Sequence, residues 1–274
     1  MKKALLTVSF ALLGLLFTHS AFANGLDKFK GQSGTIAIAG GTAHIPVMKK
    51  ATKVIMTSNP DVRITVAGGG SGVGIQKVGE GLVNIGNSGR KASDEEVAKY
   101  GLVMFPFAVD GVATVLHSEN PVSALTGDQV RDIFAGKITN WKELGGTDAA
   151  INIYSRDESS GTRSVYWKKL LKKGEVVASA NIVASNGAMK SAISRDPNAI
   201  GYVSIGHLDG TVKAPTIDGV AASQETAKNG QYKVVRKLYM NTKGNPEGIV
   251  KSYVEFITGP DCVEIIKSCG YIPL

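Results

Sequence analysis

The segment TIAIAGGTAHIPVMKKATKVIMTS, residues 35–58, carries the clearest indication of the fold class. Its first five residues form a short β-prone run, Gly40-Gly41 makes a turn, and residues 43–58 are predicted to form a helix. The next section repeats this order, with strands predicted at residues 62–66 and 82–85 and a helix near residues 73–80 between them. The alternation indicates βαβ units and a mainly parallel sheet with helices on both faces.

The same alternation continues from Asp110 to the C-terminus. We predict strands at residues 111–117, 151–154, 200–203 and 234–240, and helices at residues 126–134, 162–173, 246–258 and 261–268. Thr126 is a suitable N-cap for the first of these helices. The chain is therefore predicted to be an α/β protein of two lobes joined by a two-strand hinge. Residues 24–107 and 238–274 form the first lobe, and residues 108–237 form the second.

Residues 1–23 have the layout of a secretory signal peptide. Lys2 and Lys3 provide positive charge, an apolar segment of about 14 residues follows, and Ala21-Phe22-Ala23 is a small-x-small cleavage site. A membrane anchor is the alternative, but crossing a bilayer takes about 20 apolar residues. We therefore expect cleavage after Ala23 and a soluble periplasmic product that does not span the membrane.

The charge and the cysteines restrict the possible partners. A formal net charge of +8 suits an anionic ligand, an anionic membrane surface or simply a solvated basic surface, and export argues against nucleic acid. In an oxidising compartment we expect Cys262 and Cys269 to form a structural disulfide. Because no further Cys or His lies near them, they do not form a zinc site, and we expect no metal or other cofactor.

The segment SRDESSGTR, residues 155–163, lies between a predicted strand and a predicted helix. A helix start leaves backbone N–H groups unpaired and partially positive, and Gly161 allows the backbone to approach a ligand closely. Ser160 and Thr162 add hydroxyl donors, and Arg156 adds a planar fork that suits two oxygens of an oxyanion. A capped helix with a surface arginine is the alternative, but the combination favours an anion cradle.

Two other turns have the same design. Gly40-Gly41-Thr42 and Gly70-Ser71-Gly72 each follow a predicted strand and place a hydroxyl residue at a helix start. Each turn taken alone is an ordinary glycine-rich turn. Because ligands of open α/β sheets bind at the carboxyl ends of strands, we expect the three helix starts to converge on one anion.

Specific runs of residues give the chain a resemblance to a known family. They are AGGT (39–42), GGSG (69–72), IGNS (85–88), IFAGKITNW (133–141), R-x-x-x-S-G-T-R (156–163) and AIGYV (199–203). With them, nearly the whole mature chain resembles the phosphate-binding proteins of phosphate ABC importers, a branch of the two-lobed periplasmic binding proteins. The resemblance implies a monomer that captures inorganic phosphate and delivers it to an inner-membrane ABC permease complex.

The resemblance also implies the site residues. The implied ligand-binding set is Thr42, Ala43, Ser71, Ser88, Arg156, Ser160, Gly161 and Thr162. Glu158 would orient the Arg156 guanidinium, and Gly72 and Asn87 would support the site. The lobes would close around the anion through a hinge near Ala108 and residues 235–238, because the anion contacts both lobes only in the closed state.

One position departs from the family pattern. Many relatives carry an aspartate that accepts the proton of phosphate, and some carry a serine, where this chain has Gly89. A carboxylate there would repel fully ionised sulfate and accept a hydrogen bond from protonated phosphate. Ser88 or Asn87 could take its place, because each side chain can accept as well as donate.

Three alternatives stay open at this point. An enzyme such as a phosphate-ester hydrolase is disfavoured, because Ser159 and Ser160 lack the G-x-S-x-G context and because His44, His117 and His207 have no metal-ligand spacing. A binding protein for sulfate, arsenate or molybdate would use the same kind of turns. A phosphate sensor or scavenger without an importer is also compatible, because the chain contains no readable docking motif for a permease.

Overall fold

A computed structural model describes residues 25–274 of the chain. The predicted signal peptide, residues 1–23, lies outside the described residues. The strands are β1 (Gly34–Gly40), β2 (Val62–Gly69), β3 (Ile85–Ser88), β4 (Leu102–His117), β5 (Ala124–Leu125), β6 (Asn152–Ser155), β7 (Asn181–Ile182), β8 (Ala199–Ser204), β9 (Val212–Lys213), β10 (Thr216–Ile217), β11 (Val235–Lys243) and β12 (Ile272–Pro273).

Helices alternate with these strands along most of the chain. The α-helices are α1 (Ile45–Ser58), α2 (Ser71–Gly79), α3 (Asp94–Tyr100), α4 (Gly127–Phe134), α5 (Gly161–Lys169), α6 (Asn186–Ile193), α7 (Gln224–Lys228), α8 (Gly248–Thr258) and α9 (Val263–Ser268). Short 3-10 helices cover Asp27–Phe29, Thr42–His44, Trp141–Leu144, Ile205–His207 and Pro260–Cys262.

Ten of these strands form one continuous sheet. In its first half β2, β1 and β3 are parallel, with Ile36 paired with Ile64 and Ile38 paired with Ile85. β11 then joins antiparallel to both β3 and β4. In the second half β4 pairs antiparallel with β8, and β6 runs parallel to β8 and β7. The predicted α/β fold is confirmed, and each half of the sheet is mixed because the long central strands run against their neighbours.

The stretch quoted first folds as its pattern predicts. The residues of β1 become buried on both faces toward its carboxyl end, as in a central parallel strand. In α1, Pro46 lies in the first turn. The N–H groups of a first turn have no acceptor within the helix, so proline loses no hydrogen bond there. Val47, Ala51 and Ile55 recur every four residues and form the buried face of this helix. This packing fixes the Gly40-Gly41 turn at the carboxyl edge of the sheet.

Two main hydrophobic cores lie on either side of the hinge strands. The first combines residues of β1, β2 and α1 with C-terminal residues such as Phe256 and Tyr271. The second surrounds Trp141 and the stacked rings of Tyr166 and Tyr202, whose centroids are 4.2 Å apart. Each core buries its own apolar surface, which allows the two parts to move relative to each other as units.

The strands β4 and β11 connect the two cores. β4 pairs with β11 as far as Gly111 and with β8 from Val112 onward. The change of strand partner therefore lies close to the predicted lobe boundary at 107/108. The boundaries themselves, 107/108 and 237/238, stay predictions.

Two predicted elements have different limits in the structure. The third strand begins at Ile85 and not at residue 82, because residues 81–84 form a turn in which Leu82 is 65% exposed. The helix predicted to reach residue 173 ends at Lys169. Lys172 and Lys173 have φ angles of 52° and 61°, which belong to the left-handed region and cannot continue a right-handed helix.

The predicted disulfide is not present in the structure. Cys262 and Cys269 are buried free thiols at the two ends of α9. Burial raises the pKa of the Cys262 thiol to about 12 and also raises the pKa of Cys269. Because the thiolate is the reactive form, both side chains behave here as small buried apolar groups. Among residues 25–274, no helix combines the length and the hydrophobicity needed to cross a membrane.

Candidate oxyanion-binding site

A small cavity lies between the two lobes, at the carboxyl ends of β1, β2 and β6. Its lining residues are Gly41, Thr42, Ala43, Gly70, Ser71, Gly89, Arg156, Ser160, Gly161, Thr162 and Arg236. The structure therefore brings the three glycine-containing turns together around one space. It places there every residue of the predicted ligand-binding set except Ser88.

Three helices begin at this cavity. α2 begins at Ser71, directly after Gly70, whose φ of 90° is accessible to glycine without strain. α5 begins at Gly161 with Ser160 as its N-cap. The 3-10 helix Thr42–His44 leads directly into α1. The backbone N–H groups of a first turn have no intrahelical partner and carry partial positive charge, so these three starts together favour an anion.

Contacts between the lobes close the cavity. The backbone N–H of Gly72 donates to the carbonyl oxygen of Ser159 at 3.0 Å, and the Ser159 hydroxyl donates to the carbonyl oxygen of Gly69 at 3.2 Å. Gly161 packs so closely against Ser71 that a Cβ at position 161 would collide with the Ser71 hydroxyl. The structure therefore describes a closed state, in which a ligand in the cavity is shielded from water.

Arg156 supplies a buried positive charge to the cavity. Its residue surface is 2% exposed, and Nη2 donates to the carbonyl oxygen of Ala184 at 3.0 Å. Nε and Nη1 have no hydrogen-bond partner among the described residues. Burial lowers the pKa of the guanidinium from its ordinary value, because the charged form loses its hydration. A buried charge with unpaired donors is strongly unfavourable, and an anion in the cavity would supply the missing acceptors.

A second arginine, Arg236 of β11, reaches the cavity from the hinge. Its Nε donates to Oδ2 of Asp110 at 2.8 Å, and its Nη2 donates to Oγ1 of Thr162 at 3.0 Å. Asp110 is fully buried, so desolvation raises the pKa of its carboxyl, while the charge of Arg236 and a hydrogen bond from Ser204 oppose that rise. Arg236 thereby connects the hinge strand β4 with the start of α5.

Two threonine hydroxyls of the cavity are held by Asn186. Oγ1 of Thr42 accepts from the backbone N and from Nδ2 of Asn186, at 3.2 and 3.0 Å. Oγ1 of Thr162 accepts from Nη2 of Arg236 and from Nδ2 of Asn186, at 3.0 and 3.4 Å. A hydroxyl oxygen has two lone pairs, and in both residues these are occupied. Each of these hydroxyls can therefore only donate to a ligand.

The two serine hydroxyls are held in a similar way. Oγ of Ser71 accepts from the backbone N of Gly89 at 2.9 Å, and Oγ of Ser160 accepts from the backbone N of Arg163 at 3.1 Å. The hydrogen of each serine hydroxyl is therefore free to be donated to a ligand. Hydroxyls, guanidinium groups and helix-start N–H groups thus give the cavity a lining of hydrogen-bond donors, which is what the oxygens of an oxyanion require.

Comparison with known proteins agrees with this geometry. A family model described as a PBP superfamily domain matches residues 30–261. The chain is 36% identical over 254 residues to the phosphate-binding protein PstS of Bacillus subtilis (strain 168), with 90% of this chain and 84% of that relative covered. The chain belongs to the family of phosphate-binding proteins.

Solved structures show the same relationship. The crystal structure of a putative phosphate ABC transporter substrate-binding protein with bound phosphate from Clostridium perfringens superposes with a TM-score of 0.83 at 37% identity, covering 88% of this chain and 100% of that chain. An ABC-type phosphate transport receptor from Vibrio cholerae gives a TM-score of 0.68 at 30% identity, covering 86% and 99% of the two chains. The two-lobed fold expected of a phosphate-binding protein is therefore confirmed.

Two residues named from the family resemblance make other contacts than those expected. Ser88 is buried outside the cavity, where its hydroxyl donates to the carbonyl oxygen of Arg90 at 2.9 Å and accepts from Nδ2 of Asn241 at 3.0 Å. Glu158 is exposed and makes no hydrogen bond to Arg156 among the described contacts. The carbonyl oxygen of Ala184 orients the Arg156 guanidinium instead, because a backbone acceptor in the second lobe lies directly beside it.

The two residues predicted to support the site make backbone hydrogen bonds next to it. The carbonyl oxygen of Asn87 accepts from the backbone N–H of Gly41 at 2.7 Å and so fixes the first turn. The N–H of Gly72 holds the lobes together through Ser159. Neither Asn87 nor Gly72 lines the cavity, so neither replaces the acceptor that is missing at Gly89.

The sequence-based prediction missed Arg236 and Asn186. Arg236 shares the buried face of β11 with Leu238 and Met240, two residues apart along the strand. A charged residue on the same face of a strand as core residues indicates a buried ion pair. The pattern does not identify its partner, Asp110. Asn186, as the first residue of α6 next to its N-cap Ser185, carried no comparable signal.

Two histidines, His44 and His207, lie next to the first glycine-rich turn. His44 is fully buried, and burial followed by the charge of Arg236 lowers its pKa to about 3. Burial likewise lowers the pKa of His207 to about 4, and its Nε2 donates to the carbonyl oxygen of Thr42 at 3.1 Å. Both rings are therefore neutral parts of the packing. Within residues 25–274, no group of three or more His, Cys, Asp or Glu residues could hold a metal ion.

Proposed function

We propose that this protein captures inorganic phosphate in the cavity between its lobes, outside the cytoplasm, and delivers it to an inner-membrane ABC importer. The observation that carries the proposal is the buried Arg156 side chain, whose Nε and Nη1 have no partner among the described residues. Its relatives in Bacillus subtilis and Clostridium perfringens are named for phosphate binding and phosphate transport, which supports phosphate as the anion.

The donors of the cavity are sufficient for tight capture. About eight hydrogen bonds to a charged ligand, at ~1.5–3 kcal/mol each, amount to ~12–24 kcal/mol before the costs of association. Loss of translational and rotational freedom and ordering of side chains cost ~4–15 kcal/mol. The difference can reach the ~8 kcal/mol that a micromolar dissociation constant represents.

Phosphate would also drive closure of the lobes. With the predicted lobe boundaries, Thr42 and Ser71 lie in the first lobe, and Arg156, Ser160 and Thr162 lie in the second. An anion that contacts both sets gains its full interaction energy only in the closed state, so binding shifts the population toward that state. Rotation about β4 and β11 is the hinge motion that this requires.

Several finer properties belong to the same proposal. The protein acts as a monomer, without a cofactor and without catalysis, and it is exported by its N-terminal signal peptide. N-terminal sequencing of the secreted protein tests export, and we expect the mature chain to begin at Asn24. Retention of Lys2 and Lys3 in the functional protein would contradict cleavage.

Calorimetric titration tests phosphate capture. Purified protein is freed of bound anion by denaturation, dialysis and refolding, and inorganic phosphate is then titrated into it. We expect one phosphate per chain with a micromolar or lower dissociation constant. Absence of both binding heat and thermal stabilisation at 10 mM phosphate, with a refolded protein of native circular dichroism, would overturn the proposal. Deletion of the gene distinguishes transport from sensing. If the protein serves an importer, cells that lack it should take up less phosphate.

A further inference from the structure

Gly89 and Arg236 occupy the same part of the cavity wall. A Cβ placed on Gly89 would lie 2.6 Å from Nη1 and 2.9 Å from Cζ of Arg236. Arg236 is only 7% exposed and is held by Asp110 and Thr162. The guanidinium therefore lies directly against the backbone of Gly89 and fills the space that a side chain at position 89 would take.

Arg236 keeps one nitrogen, Nη1, for the cavity. Its Nε and Nη2 are engaged by Asp110 and Thr162, whereas Nη1 makes no hydrogen bond to any residue that the structure describes. Arg236 lines the same cavity as Arg156. Two guanidinium groups thus line one small space, and Asp110 is the carboxylate that partly balances their charge.

Asp110 cannot act as an acceptor for a ligand. One of its oxygens accepts from the Ser204 hydroxyl at 2.8 Å, and the other accepts from Nε and Nη2 of Arg236, each at 2.8 Å. It does not line the cavity. No other carboxylate lines the cavity among residues 25–274.

The hydroxyls of the cavity offer little acceptor capacity. Thr42 and Thr162 use both lone pairs for Asn186 and Arg236, as described above. Ser71 and Ser160 each use one lone pair for a backbone N–H. At most one neutral lone pair on each serine stays available, and this is a weaker acceptor than a carboxylate.

Phosphate and sulfate differ in the groups that they present to such a site. Both are tetrahedral, but the phosphate dianion carries a proton that needs an acceptor, whereas sulfate is fully ionised and presents acceptors only. Discrimination between the two rests on an acceptor for the phosphate proton or on a negative charge that repels the unprotonated oxygens of sulfate. At position 89 this chain has the positive charge of Arg236 and no negative charge.

From this arrangement we propose that Arg236 is a specificity-determining residue and that the cavity selects tetrahedral dianions by charge and shape. The protein then binds sulfate as well as phosphate, with a dissociation constant for sulfate less than 100-fold higher. This inference rests on the proposed function, because it concerns the same cavity. The inference goes beyond that function because it adds sulfate, an anion that has no proton to donate, as a second ligand.

Competition calorimetry with the wild-type protein tests the inference. Phosphate is titrated into anion-free protein with and without 5 mM sodium sulfate, and sodium chloride at equal ionic strength serves as the control. We expect sulfate to weaken apparent phosphate binding beyond the chloride control, and direct titration to give a sulfate constant within 100-fold of that for phosphate. Normal phosphate binding with a sulfate constant more than 100-fold higher would overturn the inference and leave the proposed function intact. Failure to bind phosphate at all would instead overturn the proposed function.

Substitutions at position 89 provide a second test. Gly89→Asp introduces a carboxylate against Arg236, whose guanidinium must shift to admit the new Cβ, and Gly89→Ala introduces the same Cβ without the charge. We expect Gly89→Asp to raise the sulfate constant at least tenfold more than the phosphate constant, and Gly89→Ala to change both constants by the same factor. Equal effects of Gly89→Asp on the two anions would contradict the assignment. The wild-type competition decides the matter even if the variants do not fold, which thermal unfolding will reveal.

Discussion

Replacement of Arg156 by methionine removes the buried charge on which the proposed site depends. Methionine keeps most of the side-chain volume but none of the donors. Nε and Nη1 lack partners among the described residues, so two charge-assisted hydrogen bonds to the anion are lost. At ~1.5–3 kcal/mol for each bond, the loss is ~3–6 kcal/mol, equivalent to about 10²–10⁴-fold in the dissociation constant. The side chain is 2% exposed, so solvent screening does not reduce this effect.

Phosphate titration of anion-free Arg156→Met and wild-type protein measures the loss. Arg163→Met is the matched control, because Arg163 lies on the same helix near the site but does not line the cavity. We expect the control to stay within threefold of the wild type, since a charge at a distance acts through screened interactions. Phosphate affinity of Arg156→Met within threefold of the wild type would refute the assignment of the cavity as the binding site.

Thermal unfolding separates a binding defect from a folding defect. In the absence of anion, Arg156→Met should unfold at the same temperature as the wild type or higher, because an unpaired buried charge has been removed. With phosphate at 100 times its dissociation constant, the wild type should gain ~2.7 kcal/mol of stability. The variant should gain far less at the same concentration. A variant that is destabilised without ligand would show that Arg156 is needed for folding.

The remaining predictions concern two serines, a histidine and the thiols. Ser71→Ala should weaken phosphate binding about tenfold, and Ser88→Ala should leave it unchanged, because only the Ser71 hydroxyl faces the cavity; calorimetry of both variants checks this. The pKa of His44 falls from 6.5 to about 3 on folding. Between about pH 3 and pH 6.5 the unfolded chain therefore binds more protons than the folded chain, and the stability decreases as the pH falls through this range. The pH dependence of urea unfolding should therefore be shallower in His44→Gln by up to ~1.4 kcal/mol per pH unit. Cys262 and Cys269 should not react with a thiol reagent in the native protein, and two thiols should react after unfolding. If no thiol reacts after unfolding, the two cysteines are oxidised to a disulfide during export.

Local sequence patterns were enough for most of the fold. The alternation of β-prone and helical runs gave the class, and the Thr126 cap is present with Gln129 completing a capping box around the start of α4. Prediction was less accurate where local pattern and tertiary packing diverge. β3 begins three residues later than predicted because Leu82 lies in an exposed turn. α5 ends before its predicted limit, and Lys172 and Lys173 beyond it have left-handed φ angles. β4 also extends from residue 102 through the hinge, although only its second half was predicted.

The three helix starts and Arg156 could be identified from local sequence, because donors, glycines and caps are local features of a strand-to-helix turn. Which further groups face the anion depends on contacts between residues that are far apart in the chain. Arg236 is 80 residues from Arg156 along the chain, and its contact with Gly89 depends on the pairing of β11 with β3 and β4. The same pairing turns Ser88 away from the cavity toward Asn241. Long-range strand pairing sets these directions, and a one-residue change of register would point each side chain to the opposite face of the sheet.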